Sequence, residues 1–135
     1  MPTLSMEDRA EIQQLWAEYG MAFGRADAAA IAALYVPDGD MVAVDGEMAS
    51  GPEAIEAYYR RQLSGAYQAV SLADITLDAP RHISDGVALM NATWFVHGAT
   101  PTPFRVRSTF VLRRETAGWR YAAARFAAGL QMSSA

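Results

Sequence analysis

Apolar residues near the start of the chain recur at steps of three and four positions, at Ile12, Leu15, Trp16, Tyr19 and Phe23. This spacing places them on one face of a helix. Ser5 is the candidate N-cap, because an acidic side chain follows three residues later. Gly20 and Gly24 weaken a helix interior, so we expect the helix to end near Arg25.

Two further helices are predicted. Asp27 caps a short helix over Ala28–Tyr35, which Pro37-Asp38-Gly39 ends. A third helix opens at Ser50-Gly51-Pro52-Glu53, with Ser50 or Gly51 as its cap and proline in the first turn, and closes at Ser64-Gly65. Its apolar face is formed by Ile55, Tyr58, Tyr59 and Leu63.

The remaining pattern alternates with a period of two, which is typical of strands. Asp45-Gly46 is a hairpin turn between Met41–Val44 and Glu47–Ala49, because glycine tolerates a positive φ. Four long strands follow the third helix, separated by turn signals. They cover Val70–Asp78, Val87–His97, Phe104–Arg114 and a segment from Trp119 onward.

Alternation along these strands separates two faces of a sheet. One face of the second and third strands carries Ala88, Met90, Ala92, Trp94, Val96, Val106, Ser108, Phe110 and Leu112. On the first strand we expect Ala73, Ile75 and Leu77 on one side and Asp74, Thr76 and Asp78 on the other. A basic stripe follows the opposite side of the third strand, at Arg105, Arg107 and Arg113. Ion pairs with Asp74 and Asp78 across strands are its economical explanation.

Helices segregated from an antiparallel sheet predict an α+β fold. A long curved sheet with helices across one face leaves a conical hollow, and small ligands bind in such mouths. No repeat, low-complexity tract or linker divides the 135 residues, so we expect one domain over residues 1–135.

Composition removes several classes of chemistry. The chain has no cysteine, which excludes disulfides, thiolate nucleophiles and Cys-ligated metal sites, and its two histidines are too few for most histidine-rich metal sites. The formal charge of −4 disfavours nucleic acid as a partner, since binding to phosphate backbones normally requires a basic excess. No apolar run approaches the ~20 residues of a membrane span, and the N-terminus lacks signal-peptide features, so we expect a cytoplasmic protein with no membrane partner.

The succession of elements resembles the nuclear-transport-factor-two-like superfamily, more closely its SnoaL-like group, and within that group the SgcJ/EcaC-type proteins. The motifs that carry the resemblance are Ala26-Asp27, Ala33-Leu34-Tyr35 followed by Asp38, Ser50-Gly51-Pro52-Glu53-Ala54-Ile55, Asp85-Gly86-Val87-Ala88 and Gly118-Trp119-Arg120-Tyr121-Ala122-Ala123. The resemblance covers a core of about residues 8–129. It implies a cone in which three helices pack on a strongly curved antiparallel sheet. This fold hosts isomerases, cyclases, dehydratases, epoxide hydrolases and binding modules without activity.

A more distant similarity reaches the ketosteroid isomerases. Those enzymes use a tyrosine on the first helix as an oxyanion donor, an aspartate on the first strand to move the proton, and a protonated acid on a later strand. Carried over to this sequence, the three positions fall on Tyr19, Ala43 and Phe110. Because neither Ala43 nor Phe110 bears a carboxyl group, we do not expect steroid isomerisation by that mechanism.

Three residues are candidates for catalysis. Tyr19 is the candidate oxyanion donor, with a core tyrosine as the alternative. Asp40 is the candidate base, as the least explained of the carboxylates around the first strand, although most carboxylates are simply solvated. Arg125 lies on an apolar strand and would hold a polar group of a ligand, unless it is a rim or interface arginine. We expect His97 at a surface or interface and assign it no catalytic role.

Five aromatic residues are candidates for ligand contacts, namely Trp16, Phe23, Tyr58, Trp94 and Phe110. Core filling is the alternative for each of them. An aromatic cavity favours a small hydrophobic ligand, polycyclic or polyketide-like in one interpretation.

Two functions remain open on these grounds. One is an isomerase-, cyclase- or dehydratase-type enzyme that acts on a hydrophobic metabolite and needs no metal or organic cofactor. The other is a non-catalytic module that binds a ligand or dimerises. In both cases we expect a homodimer through the convex sheet face, where Leu89, Phe95 and Val111 form a partly apolar surface.

Overall fold

Three helices pack against one seven-stranded sheet in a computed structural model that describes residues 3–129. The helices are α1 (Met6–Gly24), α2 (Ala28–Ala32) and α3 (Pro52–Leu63). The strands are β1 (Tyr35–Val42), β2 (Met48–Ser50), β3 (Ser71–Leu77), β4 (Arg81–Ser84), β5 (Val87–His97), β6 (Phe104–Glu115) and β7 (Gly118–Ala128). The predicted domain over residues 1–135 extends beyond the described residues at both ends.

The sheet confirms the α+β prediction. Its strand order is β2-β1-β7-β6-β5-β3, and β4 pairs with the other half of the β5 edge. All pairings are antiparallel except that of β1 with β7, which is parallel. We call the sheet surface beneath the helices the inner face and the opposite surface the outer face. Within residues 3–129, no helix is both long and apolar enough to cross a membrane.

Helix α1 begins at the predicted cap. The Ser5 hydroxyl accepts the N–H of Asp8 at 3.0 Å, and the Asp8 carboxylate accepts the N–H of Ser5 at 3.1 Å. The other Asp8 oxygen accepts the indole N–H of Trp119 at 3.1 Å. One carboxylate therefore caps the helix and anchors its first turn to β7, because each contact satisfies a donor that is otherwise unpaired.

Helix α2 is shorter than predicted. The expected span Ala28–Tyr35 is wrong because the chain leaves the helix after Ala32 and enters β1 at Tyr35. There the N–H of Tyr121 donates to the carbonyl of Leu34 at 2.8 Å, so pairing with β7 takes precedence over local helix propensity.

The predicted stop, Pro37-Asp38-Gly39, lies inside β1, where the register with β7 shifts. At Gly39 a side chain would meet the carbonyl oxygens of Val36 and Tyr121 at 3.0 and 3.1 Å. Glycine therefore favours this close approach of the strand to β7, because a larger residue would push the two backbones apart by a few tenths of an ångström.

The hairpin and α3 form close to where expected, but the hairpin loop has the three residues Val44-Asp45-Gly46 instead of two. The N–H of Gly46 donates to the carbonyl of Ala43, and the N–H of Ala43 donates to the carbonyl of Glu47, both at 2.9 Å. Gly46 has a φ of 89°, as the turn requires. Gly51 rather than Ser50 is the N-cap of α3, with no side-chain capping bond, and Pro52 starts the helix.

Two expectations about the edge next to β5 are corrected. The strict alternation predicted for residues 70–78 is wrong, because the register of β3 shifts between Ala73 and Thr76 and Asp74 adopts a φ of 52°. Leu77 packs against the core, whereas Ile75 is 50% exposed. Five strands rather than the predicted four follow the third helix, because the segment around His82 forms the additional strand β4.

The inner faces of β5 and β6 match the predicted alternation. Phe110 lies at the centre, opposite Met90 on β5 and Ala124 on β7. On β7 the inward residues are Trp119 and Tyr121, followed by Ala124 and Phe126. Between Tyr121 and Ala124 the register with β6 shifts by one residue, so even-numbered instead of odd-numbered residues face inward after it. This shift sends Arg125 to the outer face.

Candidate functional site

A cavity lies between the helices and the inner face of the sheet. Its volume is about 50 Å³, counted as space open to the centre of a water-sized sphere. Helix α1 contributes Tyr19 and Phe23, and α3 contributes Tyr58 and Tyr59. Tyr67 lines it from the segment after α3, and apolar side chains of β1, β3, β5, β6 and β7 complete it. No acidic, basic or histidine side chain of residues 3–129 belongs to this lining.

The structure separates the five predicted ligand contacts into two layers. Phe23, Tyr58 and Trp94 line the cavity, whereas Trp16 and Phe110 do not. Trp16 stacks on Tyr19 with ring centroids 5.8 Å apart, and the fully buried Phe110 packs on Trp16 at a centroid distance of 5.7 Å. Trp16 therefore supports Tyr19 directly, and Phe110 supports Trp16.

Tyr19 and Tyr59 form the central polar contact of the cavity. Their hydroxyl oxygens lie 2.7 Å apart, and both side chains are buried. One hydroxyl donates to the other, so the pair has one further O–H to offer. Burial raises the pKa of Tyr19 to about 12 and that of Tyr59 well above 10. At neutral pH both phenols are therefore uncharged donors and neither is a base.

Tyr58 differs from this pair. Its hydroxyl is buried, and it has no hydrogen-bond partner among residues 3–129. Its ring stands edge-on to Tyr59 with centroids 5.5 Å apart, and the Arg61 guanidinium carbon lies 5.5 Å from its centroid. Burial raises the pKa of Tyr58, and a contact with the Tyr67 hydroxyl that falls short of hydrogen-bond geometry raises it further. Tyr58 is therefore a neutral hydroxyl in a fixed position.

Asp40 and Arg125 do not join Tyr19, so the expected catalytic group of three is not assembled. Arg125 Nη1 donates to Asp40 Oδ1 at 2.7 Å across the parallel β1–β7 pair. Met41, which follows Asp40, and Ala124, which precedes Arg125, are fully buried beneath the helices. Because strand side chains alternate, the ion pair lies on the outer face, away from the cavity.

The position that the isomerase resemblance assigns to the base does line the cavity. It is occupied by Ala43, which is 4% exposed. A methyl group therefore stands where those enzymes place a carboxylate. The position assigned to their second acid, Phe110, is buried behind the lining. Among residues 3–129 no group of three His, Cys, Asp or Glu side chains is arranged to hold a metal ion.

The outer face carries the predicted basic stripe. Arg113 binds Asp38 at 2.7 Å and Glu115 at 3.4 Å, so the expectation that Asp74 and Asp78 neutralise it is wrong. Phe95, opposite Arg105 on β6, is 37% exposed. A homodimer through this face stays a prediction.

Comparison with known proteins now adds the family. Residues 12–126 match the model of the SnoaL-like domain. The chain belongs to the SnoaL-like domain family. This confirms the resemblance at the level of the group, while the SgcJ/EcaC assignment stays a prediction. No functionally curated protein matches the chain.

Several solved structures share its fold. A domain of unknown function with a cystatin-like fold from Nostoc punctiforme has a TM-score of 0.83 at 17% identity, over 95% of this chain and 81% of that one. A ketosteroid isomerase-like protein from Erwinia carotovora atroseptica has a TM-score of 0.75 at 23% identity, over 94% and 100%. An NTF2-like protein with a cystatin-like fold from Novosphingobium aromaticivorans has a TM-score of 0.74 at 26% identity, over 96% and 87%.

Two polar residues of the lining, Tyr59 and Tyr67, are not among the five predicted ligand contacts. Tyr59 follows Tyr58 on the apolar face of α3, but its contact with Tyr19 spans 40 residues and leaves no local signal. Tyr67 lies in the turn segment after α3, where its N–H donates to the carbonyl of Gln62 at 2.7 Å. No periodicity marks that segment, so only the folded chain brings Tyr67 to the cavity.

Proposed function

We propose that this SnoaL-like domain binds a small, uncharged, largely apolar molecule in the cavity. The observation that carries the proposal is the lining, which consists of hydrocarbon surface and neutral phenols without a charged side chain. Burial of a carboxylate or ammonium group without a partner is strongly unfavourable, so such a lining selects against ions.

The cavity volume limits the size of the ligand. At about 50 Å³ the cavity suits a compact molecule about the size of one six-membered ring. A polycyclic ligand, as the sequence suggested, needs the cavity to widen.

The lining favours binding over acid–base catalysis. Proton abstraction needs a base within hydrogen-bond reach of the substrate. Tyr19 keeps its proton at neutral pH, Ala43 has no carboxyl group, and Asp40 lies on the outer face. The non-catalytic interpretation is therefore the main proposal.

The Tyr19–Tyr59 contact favours one second candidate, an enzyme that stabilises an oxyanion. A neutral phenol pair with one free O–H is suited to a developing negative charge in a dry site. Such an enzyme needs a base from outside the lining or from the substrate. Deuterium uptake at the α-carbons of cyclohexanone in D₂O, followed by NMR, tests it. A faster uptake with the wild type than with Tyr19→Phe would support catalysis. Equal rates with the two proteins would exclude catalysis for this probe.

Titration of the ¹⁵N-labelled protein with three ring compounds tests the binding proposal. Methylenecyclohexane is uncharged, cyclohexanecarboxylate is an anion and cyclohexylammonium is a cation of similar size. We expect saturable shifts around Trp94 and Tyr58 with the uncharged ring alone. Equal or tighter binding of either ion, or no shift at the cavity with the uncharged ring, would contradict the proposal.

A further inference from the structure

Three buried tyrosines of residues 3–129 have hydroxyls without a hydrogen-bond partner: Tyr35, Tyr58 and Tyr121. A buried hydroxyl that loses its water without gaining a partner opposes folding. Phenylalanine would fill the same ring position without this penalty. Each such hydroxyl therefore calls for an explanation.

Their positions differ in one respect. Tyr35 and Tyr121 pack behind the lining, with their ring centroids 5.5 Å apart and Tyr121 lying 5.1 Å from Phe110. Tyr58 is the member of this set that lines the cavity. A molecule in the cavity thus lies against the side chain that carries an unused donor.

The ring of Tyr58 is held from two sides. Tyr59 packs edge-on against it, and the Arg61 guanidinium lies over it. Glu47 fixes that guanidinium through an ion pair of 2.6 Å. The hydroxyl therefore has a defined position, which lowers the entropy lost when it binds an acceptor.

The Tyr58 hydroxyl is enclosed, and its neighbour Tyr67 comes from the segment after α3. Tyr67 is only half-buried, and it also lines the cavity. An acceptor that enters between these two rings replaces only the contact of Tyr58 with the Tyr67 hydroxyl, which falls short of hydrogen-bond geometry. The Tyr19 and Tyr59 hydroxyls, in contrast, already use one hydrogen on each other.

We infer that Tyr58 is a specificity-determining residue whose hydroxyl donates to a carbonyl oxygen of the ligand, so that the domain selects uncharged apolar carbonyl compounds. The inference rests on the proposed function, because it names the chemical class that the same cavity selects. A carboxylate is disfavoured despite its acceptor oxygens, since no cation of the lining balances its charge.

Cyclohexanone and methylenecyclohexane are the matched probes. Cyclohexanone has a C=O group where methylenecyclohexane has a C=CH₂ group, so only the ketone offers an acceptor oxygen. Their dissociation constants are measured by NMR titration on the wild type, on Tyr58→Phe, on Tyr59→Phe and on a control. The control is Tyr121→Phe, which removes a buried unpartnered hydroxyl from outside the lining. For each probe, the dissociation constant of the variant is divided by that of the wild type. The hydration free energy of the probe is the same in both measurements and therefore cancels.

Tyr58→Phe should weaken cyclohexanone about tenfold and leave methylenecyclohexane unchanged, as expected for one lost hydrogen bond in a buried site. Tyr121→Phe should leave both constants unchanged. Thermal unfolding without probe should show that neither variant is less stable than the wild type, because each loses a hydroxyl without a partner.

Other results overturn the inference. If both probes bind and Tyr58→Phe affects them equally or not at all, Tyr58 does not read the carbonyl, while the proposed binding function stands. If the ketone is weakened by Tyr59→Phe instead, the Tyr19–Tyr59 pair is the donor. If neither probe shifts the cavity resonances, the proposed function fails and this inference fails with it.

Discussion

The hydroxyl oxygens of Tyr19 and Tyr59 lie 2.7 Å apart, although 40 residues separate the two tyrosines in the chain. This contact joins α1 to α3 above the inner face of the sheet. Both rings also pack edge-on, with centroids 6.3 Å apart. The pair is thus part of the core and part of the cavity wall at once.

Removal of either hydroxyl should expose this dual role. Tyr19→Phe or Tyr59→Phe leaves the other hydroxyl buried without its partner, which should cost about 1–3 kcal/mol of unfolding free energy. The double variant removes both groups and should cost clearly less than the two single changes added together. Urea unfolding of the four proteins measures this coupling. Additive single effects would show that the hydroxyls do not bond to each other.

Alkaline pH should destabilise the protein in a defined window. Burial raises the pKa of Tyr19 to about 12, whereas an unfolded tyrosine ionises near 10. Between these values the folded state holds more protons, so stability falls as pH rises from about 10 to 12, by about 1.4 kcal/mol per pH unit for each such group. Below pH 10 the contribution is fully present.

Unfolding free energies from pH 8 to 12, with tyrosinate absorbance recorded in parallel, measure this window. Tyr59, Tyr35 and Tyr121 have raised pKa values for the same reason, so the slope should exceed that of a single group. Tyr19→Phe should reduce it. If all tyrosines of the folded protein were ionised at pH 10.5 without loss of stability, the conclusion that burial raises their pKa values would be wrong.

The outer-face ion pair should matter little for the cavity. Arg125 and Asp40 side chains are 46% and 33% exposed, so Asp40→Asn should change the unfolding free energy by less than about 1 kcal/mol. It should leave the dissociation constant of methylenecyclohexane unchanged, because the carboxylate does not reach the lining. If folded Asp40→Asn bound methylenecyclohexane much more weakly than the wild type, Asp40 would be part of the binding site.

The outer face should also show whether the chain self-associates. Leu89, Phe95 and Val111 point away from the inner face, and Phe95 is 37% exposed. We expect a homodimer in light scattering and a monomer for Phe95→Glu, since a buried charge opposes such an interface. Ile75→Glu, which changes an exposed residue of β3, is the control. A monomeric wild type at micromolar concentration would contradict the dimer.

Much of the fold follows from local sequence signals. The three- and four-residue steps through Tyr19 and the Ser5 capping box define α1, and alternation through Met90 and Phe110 assigns the faces of β5 and β6. Tyr35 was misassigned to a helix because its backbone pairing with β7 is a contact between distant segments. The strained residue of β3, Asp74, breaks alternation in a way that periodicity does not reveal.

The candidate site was predictable only in part. Phe23, Tyr58 and Trp94 line the cavity because apolar faces at helical or strand spacing point inward. Arg125 was misplaced because one register shift in β7 changes the parity of the strand, and a sequence does not mark such a shift. The hydrogen bond of Tyr19 with Tyr59 depends on how α1 and α3 pack, which local patterns do not encode.

Two valine-to-phenylalanine substitutions test whether the ligand occupies this cavity. Val44 lines the cavity and is half-buried, whereas Val42, two residues earlier, is half-buried outside the lining, paired with Arg125 on β7. The measurement is the dissociation constant of methylenecyclohexane by NMR for Val44→Phe, Val42→Phe and the wild type, each checked for folding. We expect Val44→Phe to abolish saturable binding and Val42→Phe to match the wild type. Unchanged binding by a folded Val44→Phe would contradict the claim that the ligand occupies this cavity.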